Sequence, residues 1–427
     1  MSVRFAIDII DFMNITIISS GDELILGQTI ETNAAWISEQ VAPLGLTNIE
    51  HITVGDDAQR LAYYLRERSQ HATLIFVTGG LGPTDDDITR FVVGDVLGVP
   101  LALNEQALAD IEKVFAKSNK GMPEKNRIQA MIPQGATVVD NLCGTAPGMK
   151  CEINKATCYF MPGVPREMKM MFDRFIVEEI KMDHADALVG QHYVTRSLHL
   201  TGIGESTLAS LLGDLMVRGK NPLVNCTVKA GIITLRINAH CADLTAGRAM
   251  ISPIEKKIRA LLGEKIFSTD GMSLAEAVAE KLLSRQQTVA VAESCTGGKL
   301  GAALTAVSGA SDFFSGGVLT YSNEMKVRLL GVDRKLIGRV GAVSEEVALA
   351  MACNVRRTAC SDYGIGITGI AGPTGGTSEK PVGLVYIGIS DHGGEAVYKH
   401  CFSGDREHVR DRAVIVALDM LRKRMLS

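Results

Sequence analysis

Three adjacent side chains in AESCTGGKLGAALTAVSGA, residues 292 to 310, have the chemistry of nucleophiles: Ser294, Cys295 and Thr296. Gly297 and Gly298 follow, and KLGAALT then reads as a helix start, whose free N–H groups and dipole favour an oxyanion or a phosphate. A serine in such a place is ordinarily a helix cap, and it becomes a nucleophile only with a base beside it. The next strand and loop, GGVLTYSNEMK, supply Tyr321 and Lys326 as candidates for that base. None of the nine histidines falls in a Gly-rich loop. A desolvated, neutral lysine can take the serine proton directly or through a tyrosine hydroxyl. Cys295 is the rival nucleophile, although without a charged histidine its thiol reads more simply as a small apolar group.

A second constellation lies in TGGLGPTDDDITR, residues 78 to 90. Gly79, Gly80 and Gly82, with Thr84, form a loop after an apolar strand, and a helix is expected from about Asp86 to Leu97, so the loop N–H groups suit a phosphate. Asp85, Asp86 and Asp87 serve equally well as ordinary caps or, for Asp86 and Asp87, as oxygen ligands holding a divalent metal against a diphosphate. GTAPG at 144–148 and MPGVPREM at 161–168 also follow strand-like stretches, which predicts one concave site at the carboxyl ends of a parallel sheet, with Asp22 and Glu23 nearby. Towards the C-terminus, TGIAGPTGGTSEKPVG at 368–383 reads as a lid or phosphate cradle, and Arg406 or Arg410 of SGDREHVR suits bidentate pairing with phosphate.

The elements that position these loops alternate strand and helix. Strands are expected at Ile15–Ser19, Ile49–Val54 and Thr73–Thr78, with helices at Thr32–Ala42 and Ala58–Arg68 between them. PREMKMMFDRFIVEEI reads as the helix closing a first domain, residues 13–175. A middle module, 176–255, carries a strand Tyr193–Leu200, a helix Glu205–Leu215 and the strand pair in VNCTVKAGIITLRINAH. A third block, 262–427, begins with the amphipathic LAEAVAEKLLSRQQ and alternates to the end. The fold class is therefore α/β: two three-layer domains with mostly parallel sheets, joined by a small α+β module. Residues 1–12, preceding Met13 and the first strand, are expected to be a loose extension.

Composition narrows the partners. With 44 Lys and Arg against 48 Asp and Glu, the net charge of −4 gives no basic footprint, which opposes nucleic acid and a polybasic membrane anchor and favours small molecules. The nine cysteines have no CxxC spacing and an odd count, which argues against disulfides or a zinc site and for a reducing cytoplasm. The longest apolar runs are strand-sized, so no membrane span is expected.

From Met13 to the C-terminus the ordered set TGGLGPTDDDITR, GTAPG, MPGVPREM, AESCTGGKLGAALT, YSNEMK, TGIAGPTGG with EKPVG, and FSGDREHVR resembles the competence/damage-inducible CinA family. That resemblance implies a MoaB/MogA-like, molybdopterin-binding-type N-terminal domain. Its implied activity is ADP-ribose pyrophosphatase, needing a divalent metal (Mg, Mn or Co) with a monovalent cation as an optional second ion. It implies a KH-like middle module and a C-terminal nicotinamide mononucleotide amidase needing no cofactor, with Ser294, Tyr321 and Lys326 catalytic. Thr296, Gly297, Gly298, Thr368, Gly369, Gly372, Gly375 and Arg406 are the expected substrate-binding set, with N–H groups near Gly297 as oxyanion donors. Gly79, Gly80, Gly82 and Thr84 form the N-terminal phosphate site, with Asp86 and Asp87 on the metal. A homodimer is implied as well. Phe91 stands where the family pattern has an acid after TR, a departure that bears on the pyrophosphatase rather than the amidase. The rival reading is a pterin or nucleotide sensor, or a competence-linked interaction protein, for which a nucleophile facing a base has no use.

Overall fold

The strand Leu74–Thr78 shows how the N-terminal block is built, because every side chain in it is buried. Leu74 and Phe76 enter one apolar core while Ile75 and Val77 enter another, as expected of a strand covered on both faces. The computed structural model describes residues 13–117, 121–269 and 271–426; the extension expected at 1–12 lies outside the described residues. In the N-terminal block a six-stranded sheet runs in the order 48–54, 14–20, 74–78, 156–161, 148–153, 137–139. The first four strands are parallel and the last two return antiparallel.

The C-terminal block has a five-stranded sheet in the order 314–319, 289–293, 363–369, 384–391, 394–401, parallel across its first three strands and antiparallel across the last two. One face carries the helix Glu345–Ala359. Gly366 and Gly388 let it lie directly on the strands, since a Cβ at Gly388 would come 2.6 Å from the carbonyl of Ala348. The other face carries Arg406–Arg424, whose Val409, Ala413, Ala417 and Leu421 join Val291, Ile365 and Ile367 in one core. A four-stranded sheet in the order 223–229, 232–241, 192–200, 266–268 with a helix Glu205–Leu212 forms the small α+β module. The described residues divide into two compact units: one runs to Val194 and includes Ala239–Ala249, and the other comprises Thr195–Asn238 and Met250 onward.

Three expected boundaries move. The helical run that starts at Pro165 continues to Asp183, through the division drawn at 175. The 19-residue helix Leu244–Leu262 runs through the one drawn at 255. The helix expected from Asp86 begins only at Thr89, because Asp87 folds back to bind its own loop.

Candidate active site

Register brings the C-terminal candidates together. Glu293, at the end of its strand, pairs with Leu319 on the neighbouring parallel strand, so Ser294 and Thr320 leave the sheet side by side. Gly297 and Gly298 take left-handed conformations, φ 61° and 95°, and turn the chain into the helix Lys299–Thr305. On the neighbouring strand's side, Ser322 caps the helix Asn323–Leu330 and accepts from Met325 N, and the first turn carries Lys326 back towards the sheet end.

Lys326 Nζ lies 3.0 Å from Ser294 Oγ and donates to the carbonyl of Thr320 at 2.7 Å. The lysine is 1% exposed and has no carboxylate partner among the described residues, and burial pulls its pKa down to about 8. A substantial neutral fraction near pH 8 is what a general base needs. Ser294 is buried but reachable at 7% exposure. Burial pushes the Cys295 thiol up to about 11, so it packs as an apolar group and is no thiolate.

Glu293 carries a role that sequence reasoning missed. Its buried carboxylate accepts from the N–H groups of Gly298, Leu300 and Gly301 at 3.0, 3.1 and 2.8 Å, and so fills the start of the helix. Gly297 N donates to Ser294 O. The N–H groups of Gly297 and Gly298 are therefore occupied. The Thr296 hydroxyl, fully buried two residues after Ser294, has no hydrogen-bond partner among the described residues. The signal was present as an acid at a strand end immediately before a Gly loop.

Tyr321 stands elsewhere than expected. It is 65% exposed, and its hydroxyl accepts from Arg406 Nη2 at 3.0 Å, outside the direct contact between Lys326 and Ser294. Arg406 also donates to the Gly372 carbonyl at 2.7 Å, and Arg410 donates to the Thr296 carbonyl at 2.9 Å. The two arginines of the C-terminal helix thus tie Tyr321, the Gly372 loop and the nucleophile loop into one rim. Of the expected cradle, Thr368 gives its hydroxyl to Ala342 O, and Gly369 packs so tightly that an added Cβ would come 2.7 Å from the Leu384 carbonyl. Gly375 takes a left-handed turn, φ 89°, farther along that loop.

In the N-terminal unit the expected concave site forms. Ser20, Glu23, Gly79, Gly80, Gly82, Asp86, Thr145, Gly163 and Glu167 share a cavity of about 500 Å³ with Asp56, which the sequence reading did not single out. Gly79 is required, because its φ of 108° and the adjacent Ser20 carbonyl leave no place for a Cβ. Asp87 accepts from Gly82 N at 2.7 Å and from Thr84 N and Oγ1 at 2.9 and 2.6 Å; its carboxylate holds the loop and is not free for a metal. Asp22 likewise turns to the backbone N–H of Asp56. Burial, with Asp22, Glu23 and Asp86 nearby, raises the Asp56 carboxyl above the usual carboxylate range. Among the described residues no lysine or arginine lines the cavity. Among the described residues no group of three or more His, Cys, Asp or Glu is placed to hold a metal by itself. Phe91 is exposed on its helix.

Comparison with known proteins agrees with this layout. Residues 16–182 match the model of a probable molybdopterin binding domain, 195–268 the damage-inducible protein CinA KH domain, and 271–425 the CinA C-terminal domain. A CinA-like protein of Nostoc sp. (strain PCC 7120 / SAG 25.82 / UTEX 2576) is 40% identical over 97% of this chain and 100% of its own length. One from Kosmotoga olearia (strain ATCC BAA-1733 / DSM 21960 / TBF 19.5.1) is 39% identical over 97% and 99%. Among solved structures, the competence/damage inducible protein CihA from Agrobacterium tumefaciens is 35% identical and covers 36% of this chain and 94% of its own, with a TM-score of 0.35.

Proposed function

The chain belongs to the CinA family, and from that premise we propose that its C-terminal block hydrolyses the carboxamide of nicotinamide mononucleotide to nicotinate mononucleotide and ammonia. The observation that carries the reading is the buried amine of Lys326 set 3.0 Å from Ser294 Oγ without a carboxylate to keep it charged. Lys326 takes the Ser294 proton as Oγ attacks the carboxamide carbon. Collapse returns the proton to the leaving nitrogen, releases ammonia and leaves a nicotinoyl ester on Ser294. Water, deprotonated by the same amine, cleaves the ester and restores the serine. Tyr321 and Arg406 act at the rim, on the substrate's ring and phosphate, and the proton moves without the tyrosine.

For the N-terminal cavity we propose hydrolysis of the ADP-ribose diphosphate. Its wall of acids without a cation repels a diphosphate unless a hard metal ion intervenes. Such an ion fits the donor set as one bound by one or two carboxylates with substrate and water oxygens completing its shell, held here by Asp86 with Glu23 or Asp56. Bound there, it would neutralise the diphosphate and polarise the bond to be cut. Incubation of purified full-length protein with nicotinamide mononucleotide should yield ammonia and nicotinate mononucleotide in equal amounts. A well-folded protein that yields neither rejects the amidase reading.

A further inference from the structure

Within the C-terminal unit a second cavity, about 350 Å³, lies well along the helix Arg406–Arg424 from the rim arginines. Its residues come from one stripe of that helix, Arg412, Val416, Asp419, Met420 and Lys423, at spacings that stack along one face. Opposite stand Tyr398 and His400, two apart on the sheet's last strand and therefore on the same side of it. Thr201 and Gly202 of the α+β module contribute to the wall.

The charges in this cavity are unequal. Asp419 is bound by Arg422 at 2.6 Å and Lys423 at 2.8 Å, and Arg424 is bound by Asp391, so each of these groups has a partner of opposite charge. Arg412 has no carboxylate partner among the described residues. Its guanidinium lies 5.7 Å from the ring centre of Phe402, and the Gly231 turn packs so closely that a Cβ there would fall on it. Both contacts fix the group without satisfying its charge. His400 Nε2 is buried with no hydrogen-bond partner among the described residues, and burial with Arg412 beside it holds the ring below the usual histidine range. Tyr398, 49% exposed, offers an aromatic face, and Val416, Met420 and Ile389 supply apolar wall.

We propose that this cavity is a binding site for a small anion with a planar aromatic body, its anionic group on Arg412 and His400 and its ring against Tyr398. Pockets of this volume lie at the small end of those that take compact organic ligands. The site does not depend on the amidase reading, because none of its residues touches Ser294 or Lys326 in the contacts described.

Calorimetric titration of the full-length protein with 1-naphthoate, adenosine monophosphate and inorganic phosphate tests it. At least one aromatic anion should bind saturably, with a Kd weakened tenfold or more in both Arg412→Gln and Val416→Phe and unchanged in Arg406→Gln, which reports on the amidase rim. Val416→Phe fills the cavity and keeps its charge, so it decides the matter if Arg412→Gln fails to fold. The proposal is overturned if neither aromatic anion binds, if binding follows Arg406 and ignores Arg412 and Val416, or if inorganic phosphate binds as tightly as the aromatic anions.

Discussion

Lys326 is costly where it stands, since an amine buried against a serine hydroxyl and a carbonyl has lost water and gained no counter-charge. Its folded pKa lies below the value in the unfolded chain, so the unfolded chain binds the proton more tightly between about 8 and the ordinary lysine value. Stability therefore rises as pH climbs through that window and is lower beneath it. Lys326→Met should then be more thermostable than wild type at pH 7, by about 1–2 kcal/mol, with the advantage shrinking towards pH 10 in paired melting curves. The same substitution should cut amide hydrolysis by about 10³-fold or more, and wild-type kcat/KM should rise through about pH 8 and level off. A rate that stayed flat from pH 6 to 10 would mean that Lys326 is not the base. At the rim, Tyr321→Phe should raise KM by about threefold to tenfold and leave kcat nearly unchanged, because its hydroxyl meets Arg406 and not the dyad. A large drop in kcat with constant KM would restore the proton-relay role to the tyrosine.

The helix Lys299–Thr305 depends on the residue before its loop. Glu293 satisfies three of its first N–H groups from within the core, so Glu293→Ala leaves buried donors without partners. Chemical denaturation should show a loss of about 2–4 kcal/mol, with Glu293→Gln losing less because one acceptor oxygen remains. This device also shows what the sequence made legible. Strand and helix alternation placed the strand starting near Ile15, the helix Ala58–Arg68 and the strand ending at Leu200 within a residue of their observed bounds, because burial periodicity decides them. Ser294 and Lys326 were legible as a pair because successive parallel strands deliver their loops to one edge. Local spacing could not show which oxygen meets which N–H. Glu293 and Asp87 both turn back to bind their own loops, so one hidden cap takes up the Gly298 N–H and the other delayed a helix start. The hairpin returns Gly148–Ile153 with Ala156–Met161 and Leu384–Asp391 with Gly394–Cys401 gave each sheet an antiparallel margin that an apolar run alone does not announce.

At the scale of the whole chain, each unit holds its own site: an acid-lined cavity in one and a serine facing a desolvated lysine in the other. No helix among the described residues is long and apolar enough to cross a membrane. As proposed, the two sites differ in what they need, and a chelator tests the difference: ammonia release from nicotinamide mononucleotide should be unaffected by it, and ADP-ribose hydrolysis should stop. Equal loss of both activities would tie the amide chemistry to a metal and contradict the lysine's assigned role. The most direct test of the central claim is ammonia release from nicotinamide mononucleotide by Ser294→Ala beside wild type, with folding checked by circular dichroism. The variant should lose about 10⁴-fold or more of the rate with the fold intact; a folded variant that released ammonia at the wild-type rate would show that Ser294 is not the nucleophile.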